Sequence, residues 1–269
     1  MPHIWCPGCG HGIVLNSLLR AVEKLEIEKN DVVMISGIGC SARMQGYVDF
    51  HTLHTLHGRA LAFATGIKMA WPLLNVIVPM GDGDALAIGG NHFIHAARRN
   101  IDVTAIIMNN SIYGMTGGQY SPLTGCGEAA TTAPYGTVDP PFDPVELAIA
   151  SGASFVARTT TYHARDMAKI FAKAITHKGF SVVEVLSQCP TYYGRKNHKG
   201  DAVEMMRFFK EEAGKSIPVG IIKEEERIEY SRAYRERVLE PAARRAGRAE
   251  PDPAEALAAT RRLEPGCGQ

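Results

Sequence analysis

No stretch of the sequence approaches the ~18 consecutive apolar residues that a bilayer span requires. Nor is there a surplus of charge. The 29 Lys and Arg against 28 Asp and Glu leave a net +1, which removes the electrostatic case for nucleic acid or an anionic membrane surface. No charged-then-apolar leader precedes Cys6, so the expectation is a cytoplasmic protein. There is no internal repeat. A second CxxC is also missing: Cys6 and Cys9 in "IWCPGCGHG" stand at metal-ligand spacing, but no matching pair follows, and a zinc ribbon needs two.

What the sequence does have is glycine, 27 residues of it, clustered at particular turns as if the backbone were wrapped closely around a ligand. Between those turns, short apolar runs alternate with helical spacing. "DVVMIS", "NVIVPM", "DVTAIIMNN", "ASFVART" and "SVVEVLS" read as buried strands. "GIVLNSLLRAVEKLEI", "RALAFATGIKMAW", "ALAIGGNHFIHAARR" and "ARDMAKIFAKAITH" read as helices. Strands and helices in that alternation predict an α/β fold, a parallel sheet with helices on both faces. Ligands of such sheets bind beyond the carboxyl ends of the strands. The domain is expected over residues 1–231. From about Arg232 the composition turns to Ala, Arg, Glu and Pro, which predicts a helical or disordered tail over 232–269.

The sharpest motif pair is "GDGDALAIGG" and "NN". Asp82 follows one predicted strand, and Asn110 closes the next, 28 residues later. Either motif alone also reads as a plain turn or helix cap. Together, one βα unit apart, they offer glycine backbone and a helix N-terminus to a phosphate. They also offer a carboxylate and an amide oxygen to Mg2+, a hard ion that shares itself between few protein ligands and substrate phosphates.

GDG, about thirty residues, then NN resembles the thiamine diphosphate fingerprint. With "CPGCGHG", "GIGCSAR", "LHGRALAFATGIK" and "NNSIYGMTGGQYSPLT", residues 4 to about 230 are similar to the β subunits of 2-oxoacid:ferredoxin oxidoreductases. The resemblance implies a thiamine diphosphate-binding fold of the pyrophosphate-domain type. It implies Mg2+ held by Asp82, Asn110 and the Ile112 carbonyl, with Gly81, Gly83, Asp84 and the Gly114, Met115, Thr116, Gly117 loop around the diphosphate. It also implies a 4Fe–4S cluster on Cys6, Cys9, Cys40 and Cys189, four thiolates on turns.

On ligand type alone, a zinc ion would take the same four thiolates, and Cys126 competes with Cys189 for the fourth place. The resemblance favours Cys189, because the loop of Cys126 is not a ligand position in the family. Cys267 is expected to be a free thiol. The resemblance also implies that Arg43 would grip a 2-oxo acid carboxylate and that His57 of "LHGR" would face the cofactor. Each also reads as an ordinary surface or helix-start residue.

The implied reaction is coenzyme A-dependent oxidative decarboxylation, reversible, with electrons passed through the cluster to ferredoxin. "CPTYYGRKNHKGDAVEMMRFFKEEA" is more similar to the members acting on 2-oxoglutarate, and Arg195, Lys196 and Lys199 suit a dicarboxylate; pyruvate and branched-chain 2-oxo acids are the alternatives. The pyrimidine-binding domain, by resemblance, belongs to an α subunit. The chain is therefore expected to act in an (αβ)2 assembly and to be inactive alone. The competing readings are an acetolactate-type enzyme, which needs both cofactor domains and no cysteine quartet, and a non-catalytic iron–sulfur module.

Overall fold

In the computed structural model, which describes residues 3–246, every predicted strand forms and two more join them. Strands β1 (Val32–Ser36), β2 (His51–His54), β3 (Asn75–Gly81), β4 (Thr104–Asn109), β5 (Phe155–Thr160), β6 (Ser181–Leu186) and β7 (Gly220–Glu224) make one sheet in the order β2-β1-β3-β4-β6-β5-β7. All neighbours are parallel except β5 and β7, which run antiparallel with a register shift between Val156 and Ala157. The five strands expected from sequence are buried almost throughout. That explains their unbroken apolar runs, since a parallel sheet covered on both faces leaves no polar alternation to read.

The helices are α1 (His11–Lys24), α2 (Ala60–Ala70), α3 (Asp82–Leu86), α4 (Gly90–Arg99), α5 (Pro144–Ser151), α6 (Ala164–Thr176), α7 (Ala202–Glu212), α8 (Tyr230–Tyr234) and α9 (Glu240–Arg245). Alternate strand residues feed two cores, as the period of two demands. Val33, Ile35, Val76, Val78, Ile107 and Val182 pack with Leu61, Phe93 and Ala148 of α2, α4 and α5. Val32, Met34, Ile77, Ile106, Met108 and Val183 pack with Leu18, Met167 and Phe171 of α1 and α6. Small residues at Ala60, Ala64, Ala96 and Ala97, all buried, bring α2 and α4 close to the sheet.

The strand order reverses between β1 and β3: the chain leaves β1 toward β2 on one side and continues from β3 toward β4 on the other. Such a switch point opens a crevice at the carboxyl edge, where ligands of these sheets bind. The loops carrying Cys40, Asp82, Asn110 and Cys189 all leave strands at this edge. The predicted tail begins as helix at α8 and α9; its residues from 247 on, Cys267 included, lie outside the described residues.

Candidate functional site

Asp82 is the first residue of α3, directly after β3, and its carboxylate is 3% exposed. Ser121 donates to it at 2.6 Å, and the backbone N–H groups of Gly83, Asp82 and Ile112 are aimed at it. Burial dominates these bonds and pushes the carboxyl up to about 6. Ser121 was not singled out by the sequence. Its role depends on a loop that returns from Asn110: Thr124 accepts from the Ser121 N–H at 2.8 Å and donates to the Ser111 carbonyl at 2.6 Å.

Asn110 is buried, and its amide oxygen accepts from the Ile112 N–H at 3.4 Å. One cleft is lined by Asp82, Gly83, Asp84, Asn110, Ile112, Gly114, Met115, Thr116, Cys40 and His57. The residues expected to hold Mg2+ and diphosphate are thus brought together, and Gly81 lines the same cleft. Gly117 stands at the turn of the adjoining loop with φ +113. Glycine at 83 has a steric reason: a Cβ there would lie 2.1 Å from the Tyr113 ring. Two polar side-chain oxygens at this edge, Ser41 Oγ and Asp84 Oδ2, are buried without a hydrogen-bond partner. Unpaired buried polar atoms cost free energy, which fits a site built for a polar ligand.

Asp84 does more than face the cleft. Its Oδ1 accepts from the Gly58 N–H at 2.7 Å, the Ile38 N–H at 3.3 Å and His57 Nδ1 at 2.5 Å. One carboxylate thereby ties the loops after β1 and β2 to the helix after β3, and it fixes the His57 ring, which is only partly covered. Gly37 makes this approach possible, since a Cβ there would lie 2.3 Å from Asp84 Oδ2. Gly37→Ala is therefore expected to displace the GIGC loop and weaken cofactor binding, without unfolding the sheet; titration of the cofactor and a thermal melt check both halves. Arg43, by contrast, is exposed on the 3-10 turn Ser41–Tyr47, tied to its surroundings through its backbone N–H to the Cys40 carbonyl at 3.3 Å.

The four predicted cysteine ligands also converge. Cys6, Cys9, Cys40 and Cys189 line a second cleft with Trp5, Asn110, Gly114 and Met115, so the two clefts share Cys40, Asn110, Gly114 and Met115. The CPGCG turn reaches that place by close contact. Gly10 donates its N–H to the Gln188 carbonyl at 3.1 Å, and a Cβ on Gly10 would fall 2.5 Å from Ser187 Oγ. His11 meets the same Ser187 hydroxyl at 3.0 Å, and Trp5 Nε1 donates to the Cys40 carbonyl at 2.7 Å. Burial, then the neighbouring thiols, pushes Cys9 up to about 12 and Cys40 to about 11. A metal bound in such a cleft would reverse this, because it favours the thiolate form of the cysteines that ligate it.

Among the described residues, no three His, Cys, Asp or Glu side chains converge tightly enough for a single ion. An iron–sulfur cluster is wider than one ion and needs its ligands further apart. Cys126 is exposed and lines neither cleft.

Residues 37–185 match the model of the thiamine pyrophosphate enzyme, C-terminal TPP binding domain; this match places the chain among the thiamine pyrophosphate enzymes. A protein of Methanothermobacter thermautotrophicus named 2-oxoglutarate synthase subunit KorB is 57% identical over 211 residues, covering 78% of this chain and 74% of that one. Its Archaeoglobus fulgidus namesake is 61% identical over 192 residues, covering 71% and 72%. A 2-oxoacid:ferredoxin oxidoreductase subunit beta of Saccharolobus solfataricus is 46% identical over 190 residues, covering 70% and 62%.

Among solved structures, the 2-oxoglutarate:ferredoxin oxidoreductase of Magnetococcus marinus, with 2-oxoglutarate, coenzyme A and succinyl-CoA bound, superposes with a TM-score of 0.80. Its sequence identity is 36%, over 98% of this chain and 94% of that one. The chain belongs to the family of 2-oxoacid:ferredoxin oxidoreductase β subunits, and it is an oxidoreductase subunit.

Proposed function

We propose that this chain is the thiamine diphosphate-binding subunit of a coenzyme A-acylating enzyme that converts 2-oxoglutarate to succinyl-CoA and CO2. A 4Fe–4S cluster held by its cysteines would supply the one-electron chemistry that links this two-electron oxidation to ferredoxin. The observation that carries the reading is the meeting of two clefts: the one holding Asp82 and Asn110 shares Cys40 and Gly114 with the one holding all four cysteines. A cofactor and its electron acceptor placed there would be neighbours.

Asp82, Asn110 and the Ile112 carbonyl would hold Mg2+, and Gly81, Gly83, Asp84 and the Gly114–Gly117 loop would surround the diphosphate. Cys6, Cys9, Cys40 and Cys189 would hold the cluster. Thiamine diphosphate supplies carbanion and electron-sink chemistry at the 2-oxo carbon, with orientation and electrostatics left to the protein. In this chain, Asp84 engages His57 Nδ1 and holds the ring at the cleft, where it would face the cofactor. Arg43 would grip a substrate carboxylate, for which its planar fork is suited.

An α subunit would close the site. Support comes from the exposed apolar side chains of Ile38, Leu56, Ile88 and Met115 around the cleft, on the loops that would face the cofactor's other half. A cytoplasmic location is in keeping with the described residues, of which no helix is long and apolar enough to cross a membrane. Residues 1–231 would be the cofactor domain and 232–269 an appendage to it.

The test is anaerobic reduction of a viologen dye by the chain together with its partner subunit, with coenzyme A and 2-oxoglutarate or pyruvate supplied separately. Coenzyme A-dependent reduction with 2-oxoglutarate, at least ten times faster than with pyruvate, is expected. A preference for pyruvate would overturn the substrate assignment. Absence of thiamine diphosphate from a preparation that retains iron would overturn the enzyme reading in favour of an iron–sulfur module.

The carboxylate of Asp82 sets a pH limit. Metal binding needs it ionised, and its folded value is raised to about 6 by burial. Mg2+-dependent cofactor binding is therefore expected to be level only above about pH 7 and to weaken progressively through pH 6 and below. The apo fold responds with the opposite sign, because folding tightens the proton on Asp82. This group's contribution to stability falls as pH rises from its unfolded value near 4 toward about 6. Cofactor titration across that range reads the first effect, and apo melting reads the second.

A further inference from the structure

Three polar side chains stand on one face of the sheet, in the carboxyl-terminal halves of adjacent strands, beside the apolar Ile107, Val156 and Val182 of the same face. Glu184 on β6 is 1% exposed, and Arg158 on β5 and Asn109 on β4 are each 9% exposed. Glu184 lies directly opposite Arg158 in the β5–β6 register and diagonally from Asn109 across β4–β6. Its two oxygens are divided between them: Oε2 accepts from Arg158 Nε at 2.5 Å and Oε1 accepts from Asn109 Nδ2 at 2.8 Å. Arg158 also reaches Asp143, the N-cap of α5, at 2.6 Å.

A buried ion pair is expensive to desolvate, and well-packed apolar residues of similar volume are often as stable or more so. Stability alone does not explain this one. Its geometry points elsewhere. Asn109 is the first asparagine of NN. With Nδ2 committed to Glu184, its Oδ1 is turned to accept from the Ser111 N–H at 3.0 Å and the Ser111 hydroxyl at 3.3 Å. Ser111 holds φ +57, a conformation that a non-glycine residue adopts at a cost and keeps only when its surroundings impose it. That turn lies between Asn110 and Ile112.

We propose that Glu184 is a positioning residue for the metal site. By accepting from both Arg158 and Asn109 it sets the polarity of the Asn109 amide, and through it the Ser111 turn that presents Asn110 and Ile112 beside Asp82. The proposal rests on the reading of Asp82 and Asn110 as the Mg2+–thiamine diphosphate site and adds to it a buried charge pair on the far side of the NN turn.

Hydrogen-bond polarity supplies the test. In Glu184→Gln the new amide has one acceptor where the carboxylate had two. If that oxygen faces Arg158, its NH2 meets the Asn109 NH2; if Asn109 turns over to accept, its own NH2 meets the Ser111 N–H and the turn loses its anchor. Adding Asn109→Asp repairs the chain. The introduced glutamine then accepts from Arg158 and donates to the introduced carboxylate, which in turn accepts from Ser111, and the formal charge is unchanged.

The experiment is calorimetric titration of Mg2+ and thiamine diphosphate into the subunit complex stripped of cofactor, with iron content and the apo melt measured on the same samples. Loss of a hydrogen-bonding partner directly behind a metal ligand costs roughly 10- to 100-fold in metal affinity, and Glu184 stands one residue further back, so the lower end, roughly 10-fold, applies. That loss is expected for Glu184→Gln, with iron content unchanged and most of the affinity recovered in the double variant. Wild-type affinity in Glu184→Gln, or a double variant no better than the single one, would overturn the proposal. Should the single variant fail to fold, the double variant decides alone: wild-type affinity supports the role, and weak binding by a folded protein overturns it. A wild-type complex that takes up no thiamine diphosphate would sink the functional reading itself, an outcome separate from an indifferent Glu184.

Discussion

Asp82→Ala is expected to abolish Mg2+-dependent binding of thiamine diphosphate and, with it, all dye reduction, while the visible absorption of the iron–sulfur cluster stays as in the wild type. The change removes the carboxylate of the cleft to which Ser121 and three backbone N–H groups are directed. Asp84, the other carboxylate of the cleft, is anchored through Oδ1 by Gly58, Ile38 and His57 and keeps its place when Asp82 is lost. The fold should survive, because burial without a cation raises the Asp82 carboxyl to about 6, a sign that the apo protein gains little from the charge. Cofactor titration and the cluster spectrum on one sample separate the two sites. Loss of both together would mean that the clefts sharing Cys40 and Gly114 work as a single unit.

Cys189→Ser is expected to have a comparable effect on the other cleft, with most iron and sulfide lost and coenzyme A-dependent reduction falling to background. Cys189 is buried, just past β6, and a Cβ on Gly114 would stand 3.4 Å from Cys40 Sγ and 4.0 Å from Cys189 Sγ. The loop that would carry the diphosphate therefore lies directly against two of the four sulfurs. A serine hydroxyl is a poor replacement for a thiolate toward iron, since soft metals select sulfur. Thiamine diphosphate should still bind, because Asp82 and Asn110 are untouched. Cys126→Ser, at an exposed position outside both clefts, is the matched control and should retain its iron. The reverse pattern would move the fourth ligand to Cys126.

The parts of this protein that are local in sequence were legible there. Five strands announced themselves as β-branched, apolar runs because a doubly covered parallel sheet buries both faces of each strand. GDG and NN were readable as strand-end motifs, and Asp82 and Asn110 do follow β3 and β4 directly and line one cleft. CPGCG was readable as a turn with two cysteines at metal-ligand spacing, and Cys6 and Cys9 reach the cleft that Cys40 and Cys189 also line. The two added strands were not legible, for different reasons. β2, His-Thr-Leu-His, is an edge strand with exposed or half-exposed side chains, so it carries no apolar signal. β7 alternates only weakly and joins antiparallel, with a bulge.

What the sequence determined by itself is a set of candidate groups and their places in the chain, with Cys6, Cys9, Cys40, Cys189, Asp82 and Asn110 each near a strand end or turn. Tertiary structure alone decided how they are held. Ser121 reaches Asp82 across 39 residues, Asn109 reaches Glu184 across 75, and Gly10 lies against Gln188. Asp84 gathers loops after two other strands, and Arg158 was a lone charge in a strand until Glu184 and Asp143 came beside it. A hydrogen bond between distant residues leaves no periodicity or spacing in a single chain. It exists only once the sheet order has placed β4, β6 and β5 side by side.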